Sequence, residues 1–231
     1  MEGAVLDVMN EGLRALEPHA VLDAEPHPWT LARFEMHMLA FAEAFGRLLE
    51  KRVARDVDRD HPPLKAMARA HLRLHQPLPR MLRTQLVRLG RPYPELDSLT
   101  VGTKTQACLH RAAQALERRD PLLAHVLLVQ GLECLTQLLT RRGVELAAAL
   151  GGTVEPFEER HRGHESLLFL GLESLTTADE AGVVSELEAL YADAFGLLDE
   201  WFEEDPSHRP SRRPRQRGER WGTGDLPDEV A

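Results

Sequence analysis

The spacing of apolar residues along the chain predicts a succession of helices. In residues 2–16, apolar side chains recur three or four positions apart, which places them on one face of a helix. Further segments repeat this spacing and are separated by short stretches that contain proline or glycine. The predicted helices span residues 2–16, 29–57, 64–75, 79–89, 98–118, 121–140, 144–150, 156–173 and 178–203. The pattern therefore predicts an all-α helical bundle of about eight or nine helices.

Residues 121–140 form the most apolar of the predicted helices. Asp120 followed by Pro121 is typical of a helix start, because the Asp side chain accepts hydrogen bonds from free N–H groups and Pro fits the first turn. Leu and Val occur on nearly all sides of the segment, which predicts a central position in the bundle. Two arginines suit the last turn, and Gly143 is expected to end the helix.

The composition supports a helical core and limits the chemistry. Only 5% of the residues are aromatic, so the core must be built mainly from Leu, Ala and Val, which favours helix-on-helix packing. The net charge of −9 argues against a large nucleic-acid footprint, but not against a small site or a basic tail. Cys108 and Cys134 lie in apolar helical stretches and are expected to be buried, reduced thiols. Reduced thiols indicate a cytoplasmic protein, and no apolar run is long enough to predict insertion into a membrane.

The chain changes character at Asp205. The segment that follows combines arginines with prolines and has almost no apolar content, which predicts a disordered tail. The predicted organisation is an N-terminal helical region at 1–96, a second helical domain at 97–204 and the tail at 205–231. The tail is expected either to be solvated or to touch RNA, a membrane or an acidic partner. Its candidate binding residues are Arg212, Arg213 and Arg215.

Metal ligation has weak support in the sequence. Glu158 and His161 have the carboxylate–histidine spacing of helical di-iron proteins, which leaves a metalloprotein as one alternative. His71 and His75 are four residues apart and share a helix face, but the neighbouring arginines repel a cation. The alternative without a functional role places these histidines on the polar faces of amphipathic helices. No metal site and no cofactor are predicted.

Two segments carry a resemblance to a known family. Residues 118–139, with the sequence RRDPLLAHVLLVQGLECLTQLL, resemble the helix of HEPN domains that begins near an RGDY turn. Residues 159–179, with the sequence ERHRGHESLLFLGLESLTTAD, resemble the later HEPN segment "RN…SILAHG". The resemblance is closest to HEPN domains of type III CRISPR-associated ribonucleases, in which two chains form one composite site. It implies a HEPN-like domain at about residues 98–204. The binding residues that it suggests are Glu133, Gln137, Arg118 and Arg119.

The chain departs from this family at the residues that cleave RNA. Leu170 stands where the family has its catalytic His, and Gly163 stands where an Asn follows the family's Arg. The hydrocarbon side chain of Leu cannot transfer a proton. The resemblance therefore implies a non-catalytic interaction or regulatory protein, as part of a CRISPR or other antiviral defence system. A protein partner or a homodimer is expected, and RNA contact through residues 160–164 or the tail is a further option. If the chain cleaves RNA without a metal, the candidate residues are Arg160, Arg162 and His164.

Overall fold

The described residues form helices only, as the apolar spacing predicts. The computed structural model describes residues 2–19, 22, 26–91, 93–151 and 179–202. Their helices, in chain order, are α1 (Glu2–Leu16), α2 (Pro28–Ala54), α3 (Pro62–His75), α4 (Leu78–Arg88), α5 (Tyr93–Asp97), α6 (Thr103–Arg118), α7 (Pro121–Ala149) and α8 (Glu180–Phe202). The prediction of an all-α protein is confirmed.

Local signals set several of the helix starts. The Asp120 carboxylate accepts hydrogen bonds from the backbone N–H groups of Leu122, at 3.1 Å, and Leu123, at 2.9 Å. This is the cap that the Asp-Pro pair predicts, because the first N–H groups of a helix have no partner inside it. Pro62 occupies the first position of α3, where a missing N–H costs nothing. These ends are therefore determined by short stretches of sequence.

The central helix α7 is longer than predicted. It continues through Gly143 to Ala149, so the expected end at this glycine is wrong. A Cβ built at Gly143 would lie 3.3 Å from Oε1 of Glu35 and 3.4 Å from a ring carbon of Phe34, both on α2. The glycine thus permits a close approach of two helices. Gly151, with φ of +80°, follows the helix and adopts the left-handed conformation that suits its end.

Helices α1, α2, α3, α6 and α8 all contact α7, which confirms its predicted central position. The apolar core combines residues from both halves of the chain, including Phe41 of α2 and Leu197 of α8. Within the described ranges, α7 is also the helix long and apolar enough to span a membrane, by length and composition alone. Since 83% of that apolar window is buried inside the bundle, its position is that of a core helix.

Part of α7 is π-helical, a feature without a signal in the sequence pattern. The π-helical stretch Val126–Glu133 is buried along its whole length. The Tyr191 hydroxyl of α8 donates a hydrogen bond to the Gln130 carbonyl oxygen in this stretch, at 2.7 Å. Single-turn π-bulges are the common form, and they often occur at functional sites. The stretch therefore directs attention to the polar residues that α7 carries into the core.

Both cysteines are buried and unpaired, as expected. Cys108 lies in α6, and burial raises the pKa of its thiol to about 12. Burial likewise raises the pKa of the Cys134 thiol, whose Sγ lies 3.3 Å from the Met9 sulfur. Because the thiolate is the nucleophile, these thiols act as packing groups rather than reactive ones.

Candidate functional site

A group of charged and polar side chains lies inside the bundle where α2, α3 and α7 meet. We call these residues the buried polar cluster: Arg52, Asp58, His71, His125 and Glu133. The rest of the core is almost entirely apolar, so the cluster is the strongest concentration of buried acid–base groups in the described part of the chain. Buried titratable groups with shifted pKa values are candidate functional residues on physical grounds.

Arg52 and Asp58 form a bidentate ion pair. Nε of Arg52 donates to one Asp58 carboxylate oxygen at 2.8 Å, and Nη2 donates to the other at 2.7 Å. Their side chains are 1% and 3% exposed. Arg52 belongs to the last turn of α2, and the chain returns to it through Asp56, whose φ is +49°. The pair therefore fixes the turn between α2 and α3.

The third guanidinium nitrogen of Arg52 is buried and has no hydrogen-bond partner among the described residues. Arg52 lines a small pocket together with Lys65, Arg69 and both carboxylates of the turn, Asp56 and Asp58. Three cations and two carboxylates thus surround this pocket. An ordered water is the ligand that its size and polarity suit best.

His71 and Glu133 join α3 to α7. Nε2 of His71 donates to a Glu133 carboxylate oxygen at 2.7 Å, and both side chains are almost completely buried. Nε2 of Gln137 donates to the other Glu133 oxygen at 3.4 Å. The Phe45 ring of α2 packs edge-on against the His71 ring at 5.6 Å. The structure thus brings the two predicted binding residues of α7 together, with Glu133 buried and Gln137 half-buried.

His125 lies at the end of the first α-helical turns of α7 and is completely buried. Neither of its ring nitrogens has a hydrogen-bond partner among the described residues. Burial, and then the positive charge of Arg52 and the nearby His71, lower its pKa to about 3. His125 is therefore a neutral imidazole at physiological pH.

A second isolated titratable group lies on α2, away from the cluster. Glu35 is buried, and its Oε2 has no hydrogen-bond partner in the described residues. Burial raises the pKa of its carboxyl to about 8. No sequence signal marks Glu35 as a site residue, because it lies beside Phe34 in the apolar stripe of a long amphipathic helix.

The two arginines predicted to bind lie on the surface. Arg118, in the last turn of α6, is 58% exposed and lies 3.8 Å from Glu186. Arg119 is also exposed and ends α6 in the left-handed conformation, with φ of +54°. His125, only six residues further on, is sealed from solvent. The close spacing in sequence therefore does not bring an Arg and a His side chain to a common surface.

The two histidines of α3 are buried, so the interpretation that they lie on a polar helix face is wrong. His75 donates to the Ala42 carbonyl oxygen of α2 at 2.8 Å. Four-residue spacing places His71 and His75 on the inner face of α3. In the described ranges, no three His, Cys, Asp or Glu residues are grouped so that they could hold a metal ion.

Several predicted site residues lie outside the described residues. They are the candidate catalytic residues Arg160, Arg162 and His164, the possible metal ligands Glu158 and His161, and the tail arginines Arg212, Arg213 and Arg215. Their roles remain predictions from the sequence.

The fold and the cluster together define a helical bundle with a π-containing central helix and a buried polar interior. Comparison of the chain with protein-family models, curated proteins and solved structures finds no match. The function is therefore argued from the residues themselves.

Proposed function

We propose that the protein acts by binding, as a non-catalytic helical interaction or regulatory protein. The observation that carries this proposal is the internal pairing of the buried polar cluster. Glu133 accepts a hydrogen bond from His71, and Arg52 forms a bidentate pair with Asp58. Groups that could serve in acid–base chemistry are thus used to hold three helices together, where a substrate does not reach them.

The second part of the proposal is a degenerate HEPN-like module with a role in antiviral defence. It rests on the two resembling segments of the sequence. Leu170, in place of the family's catalytic His, supports the non-catalytic form of the module. Pairing with a second copy or another protein is part of the same proposal, because two chains contribute to one site in the family that the chain resembles.

Incubation with labelled RNA in EDTA tests the absence of catalysis. We expect the purified protein to leave the RNA intact over hours, since the proposed module lacks a general acid–base pair. Cleavage that disappears in His164→Ala would contradict the proposal and support the metal-independent ribonuclease. The Arg160→Gln and Arg162→Gln variants would then identify the arginine involved.

Light scattering on the purified protein tests the pairing. We expect a dimer, or a monomer that forms a defined complex with one purified candidate from the neighbouring genes. A monomer that binds none of these candidates would remove the support for an interaction protein. This measurement is independent of the cleavage assay, so the two parts of the proposal can fail separately.

A further inference from the structure

The charge of the chain is unevenly distributed, and α3 and α4 carry its most basic stretch. Residues 61–91 contain seven Lys and Arg residues and no Asp or Glu, in a chain whose net charge is −9. These residues comprise α3, the turn after it, and α4. An acidic total therefore does not describe the electrostatic surface of this part of the protein.

Some of these cations are neutralised by carboxylates of other segments. Lys65 forms a salt bridge with Asp56. Arg83 donates to Glu43 at 2.7 Å and to Asp97 at 2.8 Å. Four other arginines are exposed and form no salt bridge with the described residues. We call these four residues the basic face: Arg69, Arg73, Arg80 and Arg88.

Helix geometry gives the basic face a regular spacing. Arg69 and Arg73 are four residues apart on α3, which corresponds to a rise of about 6 Å. Arg80 and Arg88 are eight residues apart on α4, a rise of about 12 Å and a rotation of about 80° around the helix axis. The opposite sides of both helices are buried, and both helices pack on α2. The arginines therefore lie on the outer sides of α3 and α4, and the packing of both helices on α2 holds them there.

The residue types indicate what the basic face recognises. An Arg guanidinium can bind a phosphate group through two parallel hydrogen bonds. Residues 61–91 contain no Phe, Tyr or Trp, so they offer no ring on which a base could stack. Contact with the sugar–phosphate backbone, without base readout, is the mode that remains for a nucleic acid. A membrane surface fits less well, because insertion needs an apolar face and Val87 is the exposed large apolar side chain of α3 and α4.

The basic face differs from Arg111, an arginine of α6 that is paired within the bundle. Arg111 of α6 donates to Asp193 at 2.6 Å and to Glu186 at 3.2 Å, so acidic residues of α8 already satisfy it. Arg69 lies close enough to the Asp56 carboxylate to lower its pKa, whereas the other three arginines of the basic face form no salt bridge with the described residues. We propose that the basic face of α3 and α4 binds nucleic acid through its phosphate backbone, without sequence preference.

The test measures binding of the full chain to a labelled 20-nucleotide single strand of mixed sequence, by fluorescence anisotropy at several salt concentrations. The test variant carries Arg69→Gln, Arg73→Gln, Arg80→Gln and Arg88→Gln. The control variant carries Arg14→Gln, Arg47→Gln, Lys104→Gln and Arg141→Gln, which change the net charge equally at exposed positions elsewhere. The tail is present in both variants, so its contribution cancels in the comparison.

We expect the test variant to raise Kd at least about tenfold and to reduce the slope of log K against log salt by up to about 3, since each phosphate contact contributes about 0.7 for a single strand. The control variant should retain most of the affinity and of the slope. RNA and DNA of the same sequence should bind within about threefold of each other, because a backbone contact does not read the bases. Thermal melting is expected to be the same for both variants, and the milder pair Arg73→Gln and Arg80→Gln repeats the test if it is not.

Equal losses in the test and control variants would overturn the proposal, as would unchanged binding by the test variant. Binding to vesicles that contain phosphatidylserine, lost in the test variant while oligonucleotide binding is retained, would overturn it in favour of a membrane. The proposal goes beyond the proposed binding function and does not depend on it. Cleavage and binding are measured separately, so RNA cleavage would contradict the non-catalytic function and leave this inference standing.

Discussion

Charged side chains join helices on two sides of the central helix, under very different conditions. On the α2–α3 side, the Arg52–Asp58 pair is almost completely buried, at 1% and 3% exposure. On the α6–α8 side, Arg111 and its partners Glu186 and Asp193 keep about a third of their side-chain surface in water. The ion-pair chemistry is the same, but solvent screens only the second set. Burial, and not the number of salt bridges, therefore decides which pairs cannot lose one partner without a large loss of stability.

The largest effect is expected where one member of the buried pair is removed. Asp58→Ala leaves the Arg52 guanidinium buried without its partner, which should lower the free energy of unfolding by about 3–5 kcal/mol. Urea denaturation followed by circular dichroism measures this loss. The double variant Arg52→Met with Asp58→Ala is the control, and it should recover most of the stability because no unpaired charge remains. A loss below about 1 kcal/mol in the single variant would show that the pair is not buried.

The pH dependence separates two isolated buried groups. The pKa of Glu35 is raised from 4.5 to about 8, so the folded state holds a proton that the unfolded state releases, and stability should fall as the pH rises from about 4.5 to 8. The pKa of His125 is lowered from 6.5 to about 3, so its contribution should be lost as the pH falls from about 6.5 to 3. Each effect is on the order of a few kcal/mol.

The effects of Glu35 and His125 on the change of stability with pH have opposite signs between pH 4.5 and 6.5. Above pH 6.5 only the effect of Glu35 remains, and below pH 4.5 only that of His125. Urea denaturation between pH 6.5 and 8 should therefore show a loss of stability in the unaltered protein that is absent in Glu35→Gln. An identical pH profile in the two proteins would contradict the assignment to Glu35. Between pH 3 and 4.5, the loss of stability should be smaller in His125→Phe.

An intermediate effect is expected at the link between α3 and α7. Glu133→Leu removes the acceptor of the His71 N–H and leaves a buried donor without a partner, which should cost about 1–3 kcal/mol. Glu133→Gln is the matched control, since its side-chain oxygen can still accept this hydrogen bond. If both variants lose the same stability in urea, the carboxylate charge rather than the hydrogen bond holds α3 to α7.

The smallest effect is expected on the solvent-exposed side. Arg111→Ala breaks two salt bridges at once, yet the loss should be about 0–1 kcal/mol because water screens these charges. High salt should reduce the difference further. Thermal melts in low and high salt provide the measurement. A loss as large as that of Asp58→Ala would remove the distinction between the two sides.

Local sequence signals predicted those parts of the fold that depend on nearby residues. Apolar spacing located α1 within its observed bounds, and the Asp120–Pro121 pair located the start of α7. The same reasoning failed at Gly143, because a glycine that ends a helix and a glycine that admits a neighbouring helix look alike in a sequence. Only the position of α2 distinguishes them. The π-helical stretch was missed for a similar reason, since its residues carry ordinary apolar spacing.

The candidate site was less predictable than the fold. Glu133 and Gln137 were recognised as polar positions of an apolar helix, but their partner His71 is far away in the sequence. Arg52, Asp58 and His125 were not predicted as site residues, because charged residues near a helix end are common and are usually exposed. For the same reason, His71 and His75 were placed on the wrong face of α3.

The sequence by itself determined that the chain forms helices, that α7 lies at their centre and that Cys108 and Cys134 are buried. These features follow from periodicity and composition, which can be read from short stretches of chain. The tertiary structure alone decided which charges are buried and which stay in water. That decision depends on how helices distant in sequence pack together, as when α3 turns His71 towards Glu133 and leaves its arginines outside. Burial is a property of the assembled bundle, and it cannot be inferred from a residue's neighbours along the chain.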